Sequence, residues 1–423
     1  MTSEVLDPVE RAAVQRRVLR VLTVGQVLGA AALASAFTVG AFVVQGILGQ
    51  DTPWAGMATA TVTMGTAFMA QLLSRLMGRH GRRPGLQLGY LLAGGGGLLA
   101  ALGAERSQLP VFLAGLFMLG SGQASNLLAR YAAADLAPAE ERGRAMSRIL
   151  FASTFGAVLG PLLIAPAERG GQALGFGFYT GPWVFTGLFF LGAMVNTALR
   201  LRPDPLVLAA GITPRGPRAA ADGPARRPAL ATIGDSAGAR LALTAMVLSQ
   251  MTMVTVMAMT PVHLKLHGHE TVSAYVISSH IAGMYAFSPL VGRFSDKQGR
   301  TPTIFIGGVL LFLAAVLATV SGDVEQLLFP ALWLLGIGWS FGLIGGSSLL
   351  VESVPLADRV RVQGTADLLM SFCGGLAGLS SGFIRGAFGF PVLTQIAALA
   401  ALVLIGVAAV ARRRARPPAL AAS

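Results

Sequence analysis

The sequence predicts an all-α membrane protein, with twelve transmembrane helices in two pseudo-symmetric six-helix bundles. Three observations predict it. Of 423 residues, 54% are hydrophobic and only 12% charged, about half the charged share of a soluble domain. Apolar runs of roughly 20 residues, the length that crosses a bilayer, recur along the chain. The second half also repeats motifs of the first at an almost constant offset. A mean hydropathy of +0.66 excludes a single soluble domain and a disordered chain. Cys373, the one cysteine, excludes a disulfide scaffold and says nothing about redox compartment.

The first run, 20–47, follows Arg11, Arg16, Arg17 and Arg20 and is too long for a signal-peptide core. Further spans fall at 54–77, 84–104, 109–134, 145–166 and 179–200. Residues 201–239, rich in Pro, Arg, Gly and Ala, interrupt the rhythm and read as a flexible cytoplasmic linker. The remaining spans are 240–263, 271–293, 302–320, 327–351, 364–386 and 390–411. The expected domains are therefore an N-terminal bundle at 1–200, the linker, a C-terminal bundle at 240–411 and a tail at 412–423. Glycine runs such as Gly94 to Gly97, and Gly336, Gly338, Gly342, Gly345 and Gly346, lie inside these spans with no preceding strand. They read as packing faces, not phosphate loops.

Placing the charges orients the chain. Of 32 Lys and Arg residues, Arg106, Arg169, Lys265 and Arg385 face outward, Arg130 lies within a span, and the other 27 flank one side. That asymmetry puts both termini in the cytoplasm by the positive-inside rule. It also accounts for the +13 net charge without nucleic acid as a partner. Compact loops and a cationic set dominated by arginine suit a bacterial inner membrane.

Two motifs repeat. Gly81-Arg82-Arg83-Pro84 returns as Gly299-Arg300-Thr301-Pro302, offset by 218. Asp135, Pro138, Glu141, Arg142 and Arg144 return as Glu352, Pro355, Asp358, Arg359 and Arg361, offset by 217. Duplicated six-helix units of this kind occur in transporters whose halves rock about a midplane site. Here the sequence resembles the major facilitator superfamily. That family's inner-loop signature, G-x-L-x-D-R-x-G-R-R/K, is matched well by Gly292 to Thr301, which includes Asp296, Gly299 and Arg300. The first copy, Ser74 to Arg83, keeps Arg79, Gly81 and Arg82 but has Gly78 where the family carries Asp. In span 5, Gly156, Gly160 and Pro161 are similar to the Gly-Pro motif of the drug/proton antiporters. Leu162 to Ala165 lack the trailing glycines of that motif, and Leu116 and Met118 stand where those antiporters usually carry an arginine in span 4. The resemblance implies the major facilitator fold and no enzymatic activity.

It also implies a latch in which Arg82 with Asp135, and Arg300 with Glu352, tie helix ends in one conformation and release them in another. Asp296, near the first turn of span 9, is placed to meet a helix N-terminus. The alternative is that these are topology charges and tight-turn residues. Gly156 and Gly160 permit close backbone approach, and Pro161 permits a bend.

Polar residues inside spans are the candidate site, because lipid exposure of such groups is costly. Gln123, Asn126 and Arg130 share one stripe of span 4. Asp367 begins a stripe of span 11. Thr59, Thr63 and Thr66 share one of span 2. Gln26, Gln250 and His280 stand alone in spans 1, 7 and 8. His280, Asp367 and Arg130 are the candidates for proton coupling, since the middles of the first six spans hold no acid. For Arg130 the alternative is snorkelling or pairing with Asp135, for Asp367 an N-cap-like role, and for His280 a structural hydrogen bond. Met246, Met253 and Met257 with Gln250 form a stripe of span 7. With Trp339 they read as either plain packing or the wall of an apolar cavity. His263, His267 and His269 fall in an expected outer loop. They read as a solvated interface with no metal, the alternative being a metal cluster opposed by Lys265.

No nucleotide-binding loop or catalytic triad is found, and no cofactor is expected. The resemblance implies a monomeric secondary transporter that exports small apolar or amphipathic molecules in exchange for protons by alternating access. The alternatives are export of a lipid, metal or metallophore, uptake of a metabolite, or a non-transporting receptor or scaffold.

Overall fold

The computed structural model describes residues 7–49, 57–177, 179–210, 228–266, 270–321 and 324–415. Among them every regular element is helical. The helices are α1 (Pro8–Leu48), α2 (Met57–His80), α3 (Arg82–Glu105), α4 (Leu109–Ala134), α5 (Arg142–Ala173), α6 (Thr180–Arg200), α7 (Pro205–Ala210) and α8 (Ala229–Asp235). They continue with α9 (Ala237–Leu266), α10 (Glu270–Tyr285), α11 (Ser288–Gln298), α12 (Arg300–Val320), α13 (Leu328–Glu352) and α14 (Leu356–Ala415). Nine helices among the described residues are long and apolar enough to cross a membrane. One of them, α14, is two helices joined at a kink where Gly389 leaves helical geometry. The other two crossings are α2, whose Thr59, Thr61, Thr63 and Thr66 lower its hydropathy, and the α10–α11 pair. Twelve crossings result.

Span 8 is not the continuous helix expected at 271–293. It breaks between Tyr285 and Ser288, and Pro289 sits in the first turn of α11. Proline has no amide hydrogen and clashes with the preceding turn, so it starts a helix more readily than it continues one. Span 7 is longer than expected. The apolar run holds the helix to Leu266, which places His263 within α9 and not in an outer loop.

Two compact units emerge, neither continuous in sequence. The first comprises Met1–Ala139, Arg148–Leu230 and Pro355–Phe372. The second comprises Glu140–Ser147, Ala231–Val354 and Cys373–Ser423. Small residues bring the helices of each unit close. In the first unit a Cβ on Gly120 of α4 would meet backbone atoms of Gly65 and Val62 in α2, and Gly115 lies against Gly96 and Ala100 of α3. In the second, Gly307 of α12 lies against Gly338 and Gly342 of α13. Such approach favours dispersion packing where lipid offers no hydrophobic drive between helices.

The tight turns that precede α3 and α12 need glycine. Gly81 has φ 94° and Gly299 φ 93°, a left-handed region where a side chain is strained. Their ψ angles, 174° and 167°, show that the repeated motif has one backbone form.

Candidate functional site

The first unit buries two arginines that each meet a carboxylate. Arg82, at the start of α3, is fully buried. Its Nε donates to Asp135 Oδ2 at 2.8 Å and its Nη2 to Asp135 Oδ1 at 3.1 Å. Nη2 also donates to Gln363 Oε1 at 2.9 Å. One guanidinium thus joins α3, the end of α4 and the first turns of α14. The planar fork of arginine suits this bidentate arrangement. Arg79 is exposed. Asp204, just after α6, accepts from the Arg83 amide at 2.7 Å and supplies an acid at the α3 N-terminus.

About a turn deeper, Arg130 of α4 donates through Nη2 to Asp367 Oδ1 at 2.5 Å, with both side chains fully buried. Nη2 also donates to the Tyr131 hydroxyl at 3.0 Å. Asp367 Oδ2 is buried without a hydrogen-bond partner. The alternative partner anticipated for Arg130, Asp135, is instead taken by Arg82. Proximity in sequence misleads here, because Asp135 lies beyond the end of α4 while Asp367 enters the interior on α14.

Of the polar stripe on α4, Asn126 is buried and accepts from the Tyr90 hydroxyl at 3.1 Å. Gln123 is half-buried. Gln26 of α1 donates to Ser153 Oγ of α5 at 2.8 Å. Thr63 bonds only within its own helix, to Thr59 O at 2.9 Å. Gly156 and Gly160 lie against Ala30, Ala31, Ala34 and Ser35 of α1, so the Gly-Pro motif forms an α1–α5 contact. Its Pro161 is exposed within a continuing helix.

The second unit holds the other copy of the inner-loop motif. Arg300 Nη1 donates to Asp296 Oδ1 at 2.6 Å, and its Nε and Nη2 donate to Glu352 Oε1 at 3.0 and 2.9 Å. Asp296 also accepts from the backbone amides of Gly143 and Arg144, at 2.9 and 2.8 Å. A carboxylate at the first amides of α5 satisfies groups that the helix itself leaves unpaired.

Elsewhere in this unit, Trp339 Nε1 donates to Gln250 Oε1 at 2.7 Å. Met253 is buried and Met257 half-buried, while Met246 packs on Gly346. His280 is buried, with Nδ1 hydrogen-bonded to Leu332 O at 2.9 Å and Nε2 without a partner. His263 stacks on Phe390, ring centroids 4.2 Å apart. His267 and His269 lie outside the described residues. Among the described residues no group of three or more His, Cys, Asp or Glu is arranged to hold a metal ion.

Four partners escaped sequence reasoning: Gln363, Tyr131, Tyr90 and Ser153. A signal existed for Gln363, which lies four residues before Asp367 and extends its stripe. Nothing local marks Ser153.

Comparisons with known proteins agree with this architecture. The Major Facilitator Superfamily profile matches residues 22–283 and 241–423. The "Uncharacterized MFS-type transporter YdeG" of Bacillus subtilis is 36% identical over 98% of this chain and 96% of its own length. The "Riboflavin transporter RfnT" of Brucella anthropi is 28% identical over 92% of this chain and 94% of its own. Among solved structures, the proton:xylose symporter XylE superposes with a TM-score of 0.74 at 17% identity, over 96% of this chain and 97% of that one. With twelve helical crossings and a profile match along nearly its full length, the chain belongs to the Major Facilitator Superfamily and is a membrane transporter, not an enzyme.

Proposed function

We propose that this transporter is a proton-coupled exporter of small apolar or amphipathic compounds, working by alternating access. The observation that supports it most is the Arg130–Asp367 pair. A carboxylate buried at membrane depth is expensive and marks a functional site by default. One oxygen of Asp367 meets Arg130 and Tyr131, while the other has no partner. A proton on that carboxylate removes its charge and loosens its hold on Arg130. Breaking a buried pair is strongly unfavourable unless the remaining charge finds another partner. Proton arrival is thereby linked to release of the 356–372 segment from α4. The resemblance of Gly156, Gly160 and Pro161 to the antiporter motif supports export as the direction.

In this reading the moving bodies are the halves 1–200 and 240–411, joined by 201–239 and ending in the tail 412–423. The protein is a monomer in a bacterial inner membrane with both termini cytoplasmic. The proposed substrate contacts are Gln26, Asn126, Gln123 and Thr63 in the first unit and Gln250, Trp339, Met253, Met257 and His280 in the second; none is an acid, a lysine or an arginine, which suits an apolar cargo. A second reading, transport of a flat polar heterocycle such as riboflavin, draws on the full-length similarity to RfnT.

The test is transport in proteoliposomes with an internal pH-sensitive dye and a panel of apolar cations, neutral antibiotics and flavins. Proton movement that depends on one compound, and is abolished by Asp367→Asn, is the expected result. Substrate flux that proceeds unchanged without a proton gradient would overturn proton coupling. Flux confined to flavins would replace the cargo assignment.

A further inference from the structure

Arg20, about three turns into α1, Arg148, nearly two turns into α5, and Arg200, the last residue of α6, line one cavity of about 420 Å³. All of it lies in the first unit. No carboxylate lines it. The ion pairs of Arg82, Arg130, Arg144, Arg300 and Arg361 involve none of these three arginines. All three arginines are exposed, and a cavity lined by three guanidiniums and no carboxylate favours an anion.

The cavity has a second character. Val24, Phe151 and Phe155 also line it, and Phe155 is 53% and Val24 41% exposed. The two characters are ordered along the helices. On α1, Val24 is one turn beyond Arg20. On α5, Phe155 is two turns beyond Arg148, about 10 Å. Arg200 closes α6 at the same end. The site is cationic at one level and apolar one to two turns deeper along α1 and α5, which is the polarity of a phospholipid entering from its own leaflet.

We propose that this cavity binds an anionic phospholipid, its phosphate held by Arg20, Arg148 and Arg200 and an acyl chain lying along Phe151, Val24 and Phe155. Arginine forks match phosphate oxygens bidentately, and charge-assisted hydrogen bonds of this kind are about twice as strong as neutral ones. Basic pockets between transmembrane helices are suited to anionic headgroups. Binding there clamps α1, α5 and α6 together at one end. The lipid is thus a structural regulator of the first unit, separate from the Arg130–Asp367 pair.

The test uses the full chain in nanodiscs of phosphatidylcholine alone or with phosphatidylglycerol or cardiolipin. The readouts are thermal unfolding and lipid retention by native mass spectrometry. Anionic lipid is expected to raise the unfolding temperature by several degrees and to remain as an adduct. The combined Arg20→Gln, Arg148→Gln, Arg200→Gln variant loses both effects, with affinity reduced by about tenfold or more. Arg16→Gln with Arg17→Gln, exposed charges of α1 outside the cavity, retains wild-type binding. Equal binding by the triple variant, equal loss in the Arg16/Arg17 variant, or equal protection by inorganic phosphate would each overturn the proposal. If the triple variant fails to fold, competition on the wild-type protein decides: no preference for phosphatidylglycerol over phosphatidylcholine sinks the site.

Discussion

Arg130 and Asp367 stand 237 positions apart in sequence and meet at 2.5 Å with no exposed surface on either side chain. The two partners are not equivalent. A guanidinium cannot shed its proton inside a protein, whereas a carboxyl can take one up and become neutral. Asp367→Leu therefore leaves a stranded charge, and Arg130→Met leaves a group able to neutralise itself. Thermal unfolding of the purified variants should show a loss of about 3–5 kcal/mol for Asp367→Leu and a clearly smaller one for Arg130→Met. Equal losses would show that packing, not charge, governs the site.

Trp339 and Gln250 make a smaller case in the second unit. Trp339→Phe keeps the aromatic ring and removes the donor to Gln250 Oε1. An unsatisfied amide oxygen costs about 1 kcal/mol here, since Gln250 is only half-buried. If both residues line the substrate path, the variant raises transport KM with kcat nearly constant, the signature of a contact made equally in ground and transition states. A drop in kcat at unchanged KM would instead place the pair in the conformational machinery.

Close helix approach gives a prediction that needs no substrate. A Cβ at Gly120 would press on backbone atoms of Gly65 and Val62, which have no rotamer to yield. Gly120→Ala should destabilise by about 2–3 kcal/mol through overpacking. Gly170 of α5 has nothing within 4 Å of such an atom. Gly170→Ala should be neutral or stabilise by up to about 1 kcal/mol through helix propensity. The two melting temperatures, measured in the same detergent, test whether α2 and α4 touch as described.

What the sequence could and could not announce follows from range. Spans, the repeat and the Gly81 and Gly299 turns are local patterns of hydropathy and backbone demand, and they were legible. The membership of Asn126, Arg130 and Asp367 in buried stripes was legible too, because helical period fixes a face. The partner of Arg130 was not, since two acids were available and only the tertiary fold selects between them. The break at Pro289 was masked by the apolar residues around it. Arg20, Arg148 and Arg200 each read as a topology charge, and their shared cavity exists only once α1, α5 and α6 are brought together.

The repeat itself yields the last prediction. Gly78 corresponds to Asp296 at the offset of 218, and Val360 corresponds to Gly143 at 217. The structure keeps both relations. Asp296 bonds the amides of Gly143 and Arg144, and a Cβ on Gly78 would lie 3.9 Å from the Val360 side chain. The second copy thus has a carboxylate at a helix start where the first copy has none. A Cβ at position 78 makes only ordinary van der Waals contact, so Gly78→Asp can start its side chain there without a clash. It would set a negative charge near the positive end of α14, in a stretch carrying Arg359 and Arg361. Dipole and charge together should stabilise by about 0.3–1 kcal/mol, raising the unfolding temperature slightly. The larger consequence is kinetic: a firmer hold on residues 356–372 retards the step that releases them, so transport slows. Asp296→Gly should do the reverse at the other copy, with lower stability and altered turnover, because it deletes three hydrogen bonds. If Gly78→Asp changes neither melting nor rate, position 78 lies outside the switching contacts, and the correspondence with Asp296 is one of sequence ancestry without shared mechanics.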